Sequence, residues 1–190
     1  IYFNFNNYFF TGNLRVGNLI IGLVGNLITG FLIGTGNLGN NFTGIELRQE
    51  QTDLNNKRLK GTKSKYICDD GQNVLKHIKP NTQDLLFSCP PYFDLEVYSE
   101  LENDASNQKD YNDFLKILDK AFTDGIKCLK DNRFAVIVIS NIRDKKGFYY
   151  NLVDDVKNIF IKNNMLLYND IVLVEQSGTA AIRASRTMKN

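Results

Sequence analysis

The chain has 190 residues, 43% of them hydrophobic, and a net charge of only +2. That length suits one α/β domain with a real core and is too short for two of ordinary size. Cys68, Cys89 and Cys128 show no paired spacing, which argues against a disulfide framework and for a reducing, cytoplasmic setting, and a lone histidine, His77, argues against a zinc site or a serine-type triad.

Charge is distributed in two zones. Arg15 is the only charged residue before Glu46. Residues 1–44 begin rich in aromatics and Asn, then repeat Gly-Asn-Leu at 12–14, 17–19, 25–27 and 36–38, at unequal spacings that do not make a solenoid. Residues 18–33 are dominated by Leu, Ile, Val and Gly, so a membrane span competes as a reading. Asn18 and Asn26 inside the run, its glycines and the absence of flanking positive charge weigh against it. The preferred reading gives this zone the first strand of a nucleotide-type fold over Leu19 to Val24. A loop from Gly25 to Gly30 follows, where missing side chains let the backbone approach a cofactor, then a helix from Phe31 to Leu38 closed by Gly39. Gly34-Thr-Gly36-Asn-Leu-Gly39 matches Gly-x-Gly-x-x-Gly literally but leaves no room for a helix before Phe42.

From Phe42 the pattern becomes regular. Phe42 to Leu47 reads as a strand ending at Glu46, and Arg48 to Lys60 as the helix after it. An acid at the end of a second strand is placed to accept the ribose hydroxyls of an adenosine-containing cofactor. Lys65 to Asp70 reads as a third strand ending in two acids, followed by a short helix through Lys79, with His77 on an exposed helix end near Lys76 and Lys79. Asp84 to Ser88 is a buried strand stopped by Pro90 and Pro91, which cannot continue a central sheet. Strand, helix, strand, helix, strand implies a parallel sheet with right-handed crossovers. Ser88-Cys89-Pro90-Pro91-Tyr92 then falls at the carboxyl edge, where ligands bind in such sheets. The prolines withhold two N–H donors, and Tyr92 offers a flat face on which a base stacks.

Ser-Cys-Pro-Pro-Tyr resembles the catalytic Asp/Asn/Ser-Pro-Pro-Tyr/Phe/Trp motif of the DNA amino-methyltransferases, which methylate N6 of adenine or N4 of cytosine. Tyr-Phe-Asp-Leu-Glu-Val-Tyr-Ser from Tyr92, Ile142-Arg-Asp-Lys-Lys-Gly-Phe-Tyr149 and Val174-Glu-Gln-Ser-Gly-Thr-Ala-Ala-Ile-Arg183 are similar to a phage and bacterial branch of these enzymes, and the likeness runs from Phe42 to the C-terminus. It implies a Rossmann-like, S-adenosylmethionine-dependent methyltransferase sheet over residues 42–190, with residues 1–44 supplying the first strand and cofactor loop. It implies that Glu46 and Asp70 bind S-adenosylmethionine, Asp70 at the adenine amino group, with Gly25 and Gly30 in the loop, and leaves Asp69 as a turn residue. It implies that Ser88, Cys89, Pro90, Pro91 and Tyr92 form the catalytic segment and that DNA is the partner. Family members place an acid before the glycine loop, which this chain lacks, and Cys89 stands where most have Asp, Asn or Ser. A methyltransferase-like remnant that binds DNA or a protein without catalysis is the competing function.

Leu101 to Lys109 reads as a mobile loop over the site. Tyr111 to Leu129 is the clearest helix, with Phe114, Leu115, Leu118, Phe122, Ile126 and Leu129 on one face. Arg133 to Ser140 is a buried β-branched strand. In the loop that follows, Arg143, Lys145 and Lys146 are placed either to contact phosphates or, for Arg143, to pair with Asp144. Phe148 to Asn163 reads as a helix with Leu152, Val153, Val156, Ile159 and Phe160 inward, and Asp170 to Val174 as a sixth strand. Arg183, Arg186 and Lys189 begin a basic loop for DNA, and the expected sheet lacks its last strand.

Overall fold

The computed structural model describes residues 18–24, 41–95 and 97–172. Their framework is a five-stranded sheet in the order β3-β2-β1-β4-β5. β1 (Asn18–Val24) is central, between β2 (Asn41–Glu46) and β4 (Gln83–Cys89). β3 (Lys65–Cys68) and β5 (Leu129–Ile137) lie outside them, and every pairing is parallel. Parallel strands need crossovers, and the described chain supplies α1 (Gln49–Arg58) between β2 and β3, α2 (Val74–His77) between β3 and β4, and α3 (Tyr111–Cys128) between β4 and β5, while α4 (Leu152–Lys162) follows β5. Asn18–Val24, within the uncharged stretch, is thus a strand, and among the described residues no helix is long and apolar enough to cross a membrane.

The core follows the apolar stripe of α3. Phe114, Leu118, Phe122 and Cys128 are almost fully buried and pack with Leu86, Ala135 and Ile137 of the sheet and with Leu152, Val156 and Phe160 of α4. Asp110 caps α3, its carboxylate accepting from the N–H groups of Asn112 (2.8 Å) and Asp113 (3.3 Å). β2 approaches β3 with no side chain at Gly44: a Cβ there would stand 2.4 Å from the ring of Tyr66. That ring instead packs edge-on against Phe42, centroids 5.5 Å apart.

Several boundaries differ from the sequence reading. β5 begins at Leu129, directly after α3, and ends at Ile137 rather than Ser140. Asn132, at φ 55°, breaks the pairing register with β4 between Gln83 and Leu85. The last helix starts at Leu152, not Phe148, because Arg143 and Tyr149 form an antiparallel bridge and Asn151 turns at φ 54° before the helix. The stretch from Leu101 to Lys109 is packed, with Asp104, Ala105 and Ser106 buried around a short 3-10 turn. Asp170 to Val172 is not strand; the rest of that expected strand, the expected Phe31 to Leu38 helix, Gly25, Gly30 and Arg183 lie outside the described residues.

Candidate active site

Two acids converge at the carboxyl ends of β2 and β3. Glu46 is buried, and its Oε1 accepts from the backbone N–H of Arg48 (3.1 Å) and from Arg48 Nε (3.4 Å). Burial pushes its carboxyl above the usual carboxylate range, and Arg48 offsets only part of that rise. Asp70 caps the turn after β3. Its Oδ1 accepts from the N–H of Gln72 (2.8 Å), and its Oδ2 accepts from Asn103 Nδ2 (2.7 Å) and Gln72 Nε2 (3.2 Å). Asp69 serves the turn, accepting from the N–H of Asp70 (2.7 Å) and from Asn73 Nδ2 (2.8 Å). It also shares a 2.6 Å hydrogen bond with His77 Nε2, so His77, exposed at the end of α2 as expected, is bonded to the turn. The Asn73 amide, then His77, hold the Asp69 carboxyl down at about 2.

An open cleft joins Glu46, Arg48 and Asp70 to Pro91 and to Tyr98 and Asn103 of the following segment. That segment forms a strap across the cleft. Asp104 anchors it from inside: its Oδ1 accepts from the N–H and hydroxyl of Ser106 (2.8 and 2.6 Å), and its Oδ2 accepts from the Ser99 hydroxyl (2.6 Å). The Ser106 oxygen in turn receives the N–H of Tyr98 at 2.9 Å. The Arg48 guanidinium lies 5.8 Å from the Tyr98 ring centroid, so acid, cation and aromatic stand in sequence along one wall. Sequence reading missed Arg48, Tyr98, Asn103 and Asp104 as cleft residues. Asp104-Ala-Ser106, an Asp-x-Ser capping pattern, was the available signal.

The Pro-Pro segment divides into an inner and an outer part. Ser88 is fully buried within the sheet, and its carbonyl accepts from the N–H of Val138 at 2.9 Å. Ser88 is therefore held inside the sheet and does not line the cleft that Pro91 lines. Cys89 is buried too, and its thiol is hydrogen-bonded to the Tyr92 hydroxyl, which is also hydrogen-bonded to Ser140. Burial pushes the Cys89 thiol up and the Tyr92 phenol up to about 12, so both are neutral near pH 7. Pro90 and Pro91 are buried, Pro91 on the cleft. Phe93 follows with φ 48°, a left-handed value that costs a bulky residue on the order of 1–3 kcal/mol. It is held there by the rings of Phe114, Tyr111 and Tyr150 at 5.4, 5.5 and 5.5 Å. Packing thus fixes the bend by which the chain leaves Tyr92.

Arg143 does not pair with Asp144. Its Nη1 donates to the carbonyl of Gly147, its guanidinium stacks 4.0 Å from the Tyr149 ring centroid, and Asp144 accepts instead from the N–H groups of Lys146 and Phe148. Lys145 is exposed on this small hairpin. Among the described residues no cluster of His, Cys, Asp or Glu is arranged to hold a metal ion.

No protein-family model and no curated protein matches the chain. Solved structures do. A SAM-dependent methyltransferase from Methanosarcina mazei aligns with a TM-score of 0.58 at 11% identity over 93% of this chain and 92% of its own. A protein of the S-adenosylmethionine-dependent methyltransferase type from Listeria monocytogenes aligns with a TM-score of 0.51 at 10% identity over 78% of this chain and 76% of its own. At these identities the likeness establishes the fold, a Rossmann-like sheet of the kind found in S-adenosylmethionine-dependent methyltransferases.

Proposed function

We propose that this chain is a methyltransferase that uses S-adenosylmethionine to methylate the exocyclic amine of adenine (N6) or cytosine (N4) in DNA. The observation that carries the reading is the single cleft that joins Glu46 and Asp70, at the ends of adjacent strands, to Pro91 of Ser-Cys-Pro-Pro-Tyr. Its donor set fits the cofactor: two carboxylates accept hydroxyl and amino protons, and the Tyr98 ring is a face for a base. Glu46 holds the ribose hydroxyls and Asp70 the adenine amine, with Gly25 and Gly30, outside the described residues, at the cofactor's remaining length. When bound, the cofactor supplies an activated methyl group and leaves as a neutral thioether.

The protein's own part is placement. An exocyclic amine has its lone pair delocalised into the ring, and it becomes nucleophilic when acceptors hold its protons and turn the nitrogen out of the ring plane. The acceptors proposed are the backbone carbonyls of Cys89 and Pro90, next to a Pro-Pro pair that has no competing N–H. The Cys89 thiol works indirectly, by fixing the Tyr92 hydroxyl so that the ring meets the extruded base. Arg143, Lys145 and Arg183 are the proposed phosphate contacts of this reading.

Calorimetric titration with S-adenosylmethionine, followed by transfer of a labelled methyl group to duplex DNA, tests it. Expected are micromolar binding, its loss in Glu46→Ala, and label on the base. Label on RNA or protein but not DNA would overturn the substrate. One observation favours the second reading, a non-catalytic methyltransferase-like protein: both acids already hold donors of the chain, Arg48 and Asn103. A folded sample that gives no heat with the cofactor would select it.

A further inference from the structure

At the opposite end of β3 from the cleft, the sequence Lys57-Arg-Leu-Lys-Gly-Thr-Lys-Ser-Lys65 closes α1 and leads into the strand. It carries five cations in nine residues and no acid. All five, Lys57, Arg58, Lys60, Lys63 and Lys65, are exposed, and none makes an ion pair among the described residues. The flanking acids stand four residues away on either side: Asp53, at the spacing for a helical ion pair with Lys57, accepts from Gln49 Nε2 at 2.8 Å instead, and Asp69 beyond Lys65 is engaged with Asn73 and His77. Lys57 and Arg58 in the last turn of α1 complement its dipole. Lys60, Lys63 and Lys65 lie past the helix end and have no such role.

The turn that carries them is fixed from within. Leu59 and Ser64 are buried on either side. The Thr62 hydroxyl and N–H both donate to the Leu59 carbonyl (2.8 and 3.0 Å), and the Ser64 N–H donates to the Thr62 hydroxyl (3.2 Å). The Phe42 N–H of β2 donates to the Ser64 hydroxyl at 3.1 Å, tying the turn to the sheet. Inward residues alternate with outward cations on a backbone already ordered, which lowers the entropy cost of engaging a partner.

We propose that this turn is a docking surface for the phosphate backbone of a nucleic-acid duplex, separate from the cleft. Unpaired cations at a rigid turn match a linear array of phosphates, whose neutralisation releases counterions. The five residue steps from Lys65 to Asp70 span roughly 17 Å, about half of one ~34 Å turn of duplex. A duplex lying along β3 thus meets the turn while its flank stands at the cleft mouth. The surface goes beyond the proposed methyl transfer and fails separately from it, since duplex binding is read with no cofactor present.

The test is fluorescence anisotropy of the full chain with a labelled 20-base-pair duplex at about 50 to 200 mM salt, with phosphatidylserine vesicles as a second probe. Lys60→Gln/Lys63→Gln/Lys65→Gln is expected to shallow the slope of log affinity against log salt by about 3, and Lys60→Gln alone by about 1. Binding of S-adenosylmethionine by the triple variant reports an intact cleft, and its circular dichroism an intact fold. A folded triple variant with an unchanged slope overturns the proposal. So does binding of the wild-type chain to the vesicles without binding to the duplex.

Discussion

The two ends of the sheet use charge in opposite ways. At the carboxyl end, Glu46, Asp70 and Asp104 each accept bonds from named donors of the chain, Glu46 and Asp104 being buried. At the amino end, the cations of the α1–β3 turn stand in solvent without ion pairs among the described residues. The sequence around the cleft is acidic as well: from Asp94 to Asp113 there are seven acids and one base, Lys109. Buried, bonded charge holds a small ligand by geometry and is little screened by salt. Exposed cations attract a polyanion by field and lose that attraction as salt rises. The difference teaches that the α1–β3 turn adds a salt-sensitive attraction for phosphate that the bonded acids of the cleft do not supply.

Perturbations should separate the two ends. Phe93→Ala, which deletes the ring that fixes the bend after Tyr92, is expected to lower unfolding free energy by about 3–5 kcal/mol in a urea titration. A loss below ~1 kcal/mol would show that the left-handed bend is not held by packing. Asp70→Ala should weaken cofactor binding by roughly 10- to 100-fold, the worth of a charge-assisted hydrogen bond, and leave duplex affinity unchanged. Equal losses in both would merge the two ends into one surface.

Glu46→Gln should unlink stability from acid. The Glu46 carboxyl titrates higher folded than unfolded, so the wild type gains stability as pH falls through the folded value toward the unfolded one near 4.5, and loses it as pH rises. The variant lacks that gain, so its stability is expected to change less between pH 5 and pH 7 than the wild type's, while cofactor binding falls. Thermal melts at pH 5 and 7 read the difference; a steeper dependence in the variant would reverse the assignment. Lys60→Gln/Lys63→Gln/Lys65→Gln should change unfolding free energy by no more than about 0.5 kcal/mol, because exposed charges add little to the fold. A larger loss would mean that the turn is structural.

Sheet strands were legible where apolar runs meet turn residues. Leu19–Val24 falls within the observed β1, and β4 stops at the Pro-Pro pair. The α3 stripe was legible from its 3.6-residue period. The early start of β5 was not: Lys130, Asp131, Asn132 and Arg133 give no apolar alternation, and pairing with Gln83 extends them by tertiary contact. Glu46 was placed correctly at the end of β2, since an acid terminating a strand is a local signal, whereas β3 stops at Cys68, two residues short of Asp70, which caps the turn beyond it. Asn103 and Tyr98 were not legible, because their part in the cleft depends on where a buried Asp104 draws the strap. The bond from Arg143 to the Gly147 carbonyl was not legible, because a carbonyl partner leaves no trace in a sequence.

The hydrogen bond from Asn103 to Asp70 has a kinetic meaning. A ligand that takes Asp70 arrives at a carboxylate already engaged, across 33 residues of chain. Capture then follows release, and the observed association rate levels off with rising ligand at the rate at which the strap lets go. In Asn103→Ala that plateau rises, and the ligand departs faster as well, because nothing closes behind it.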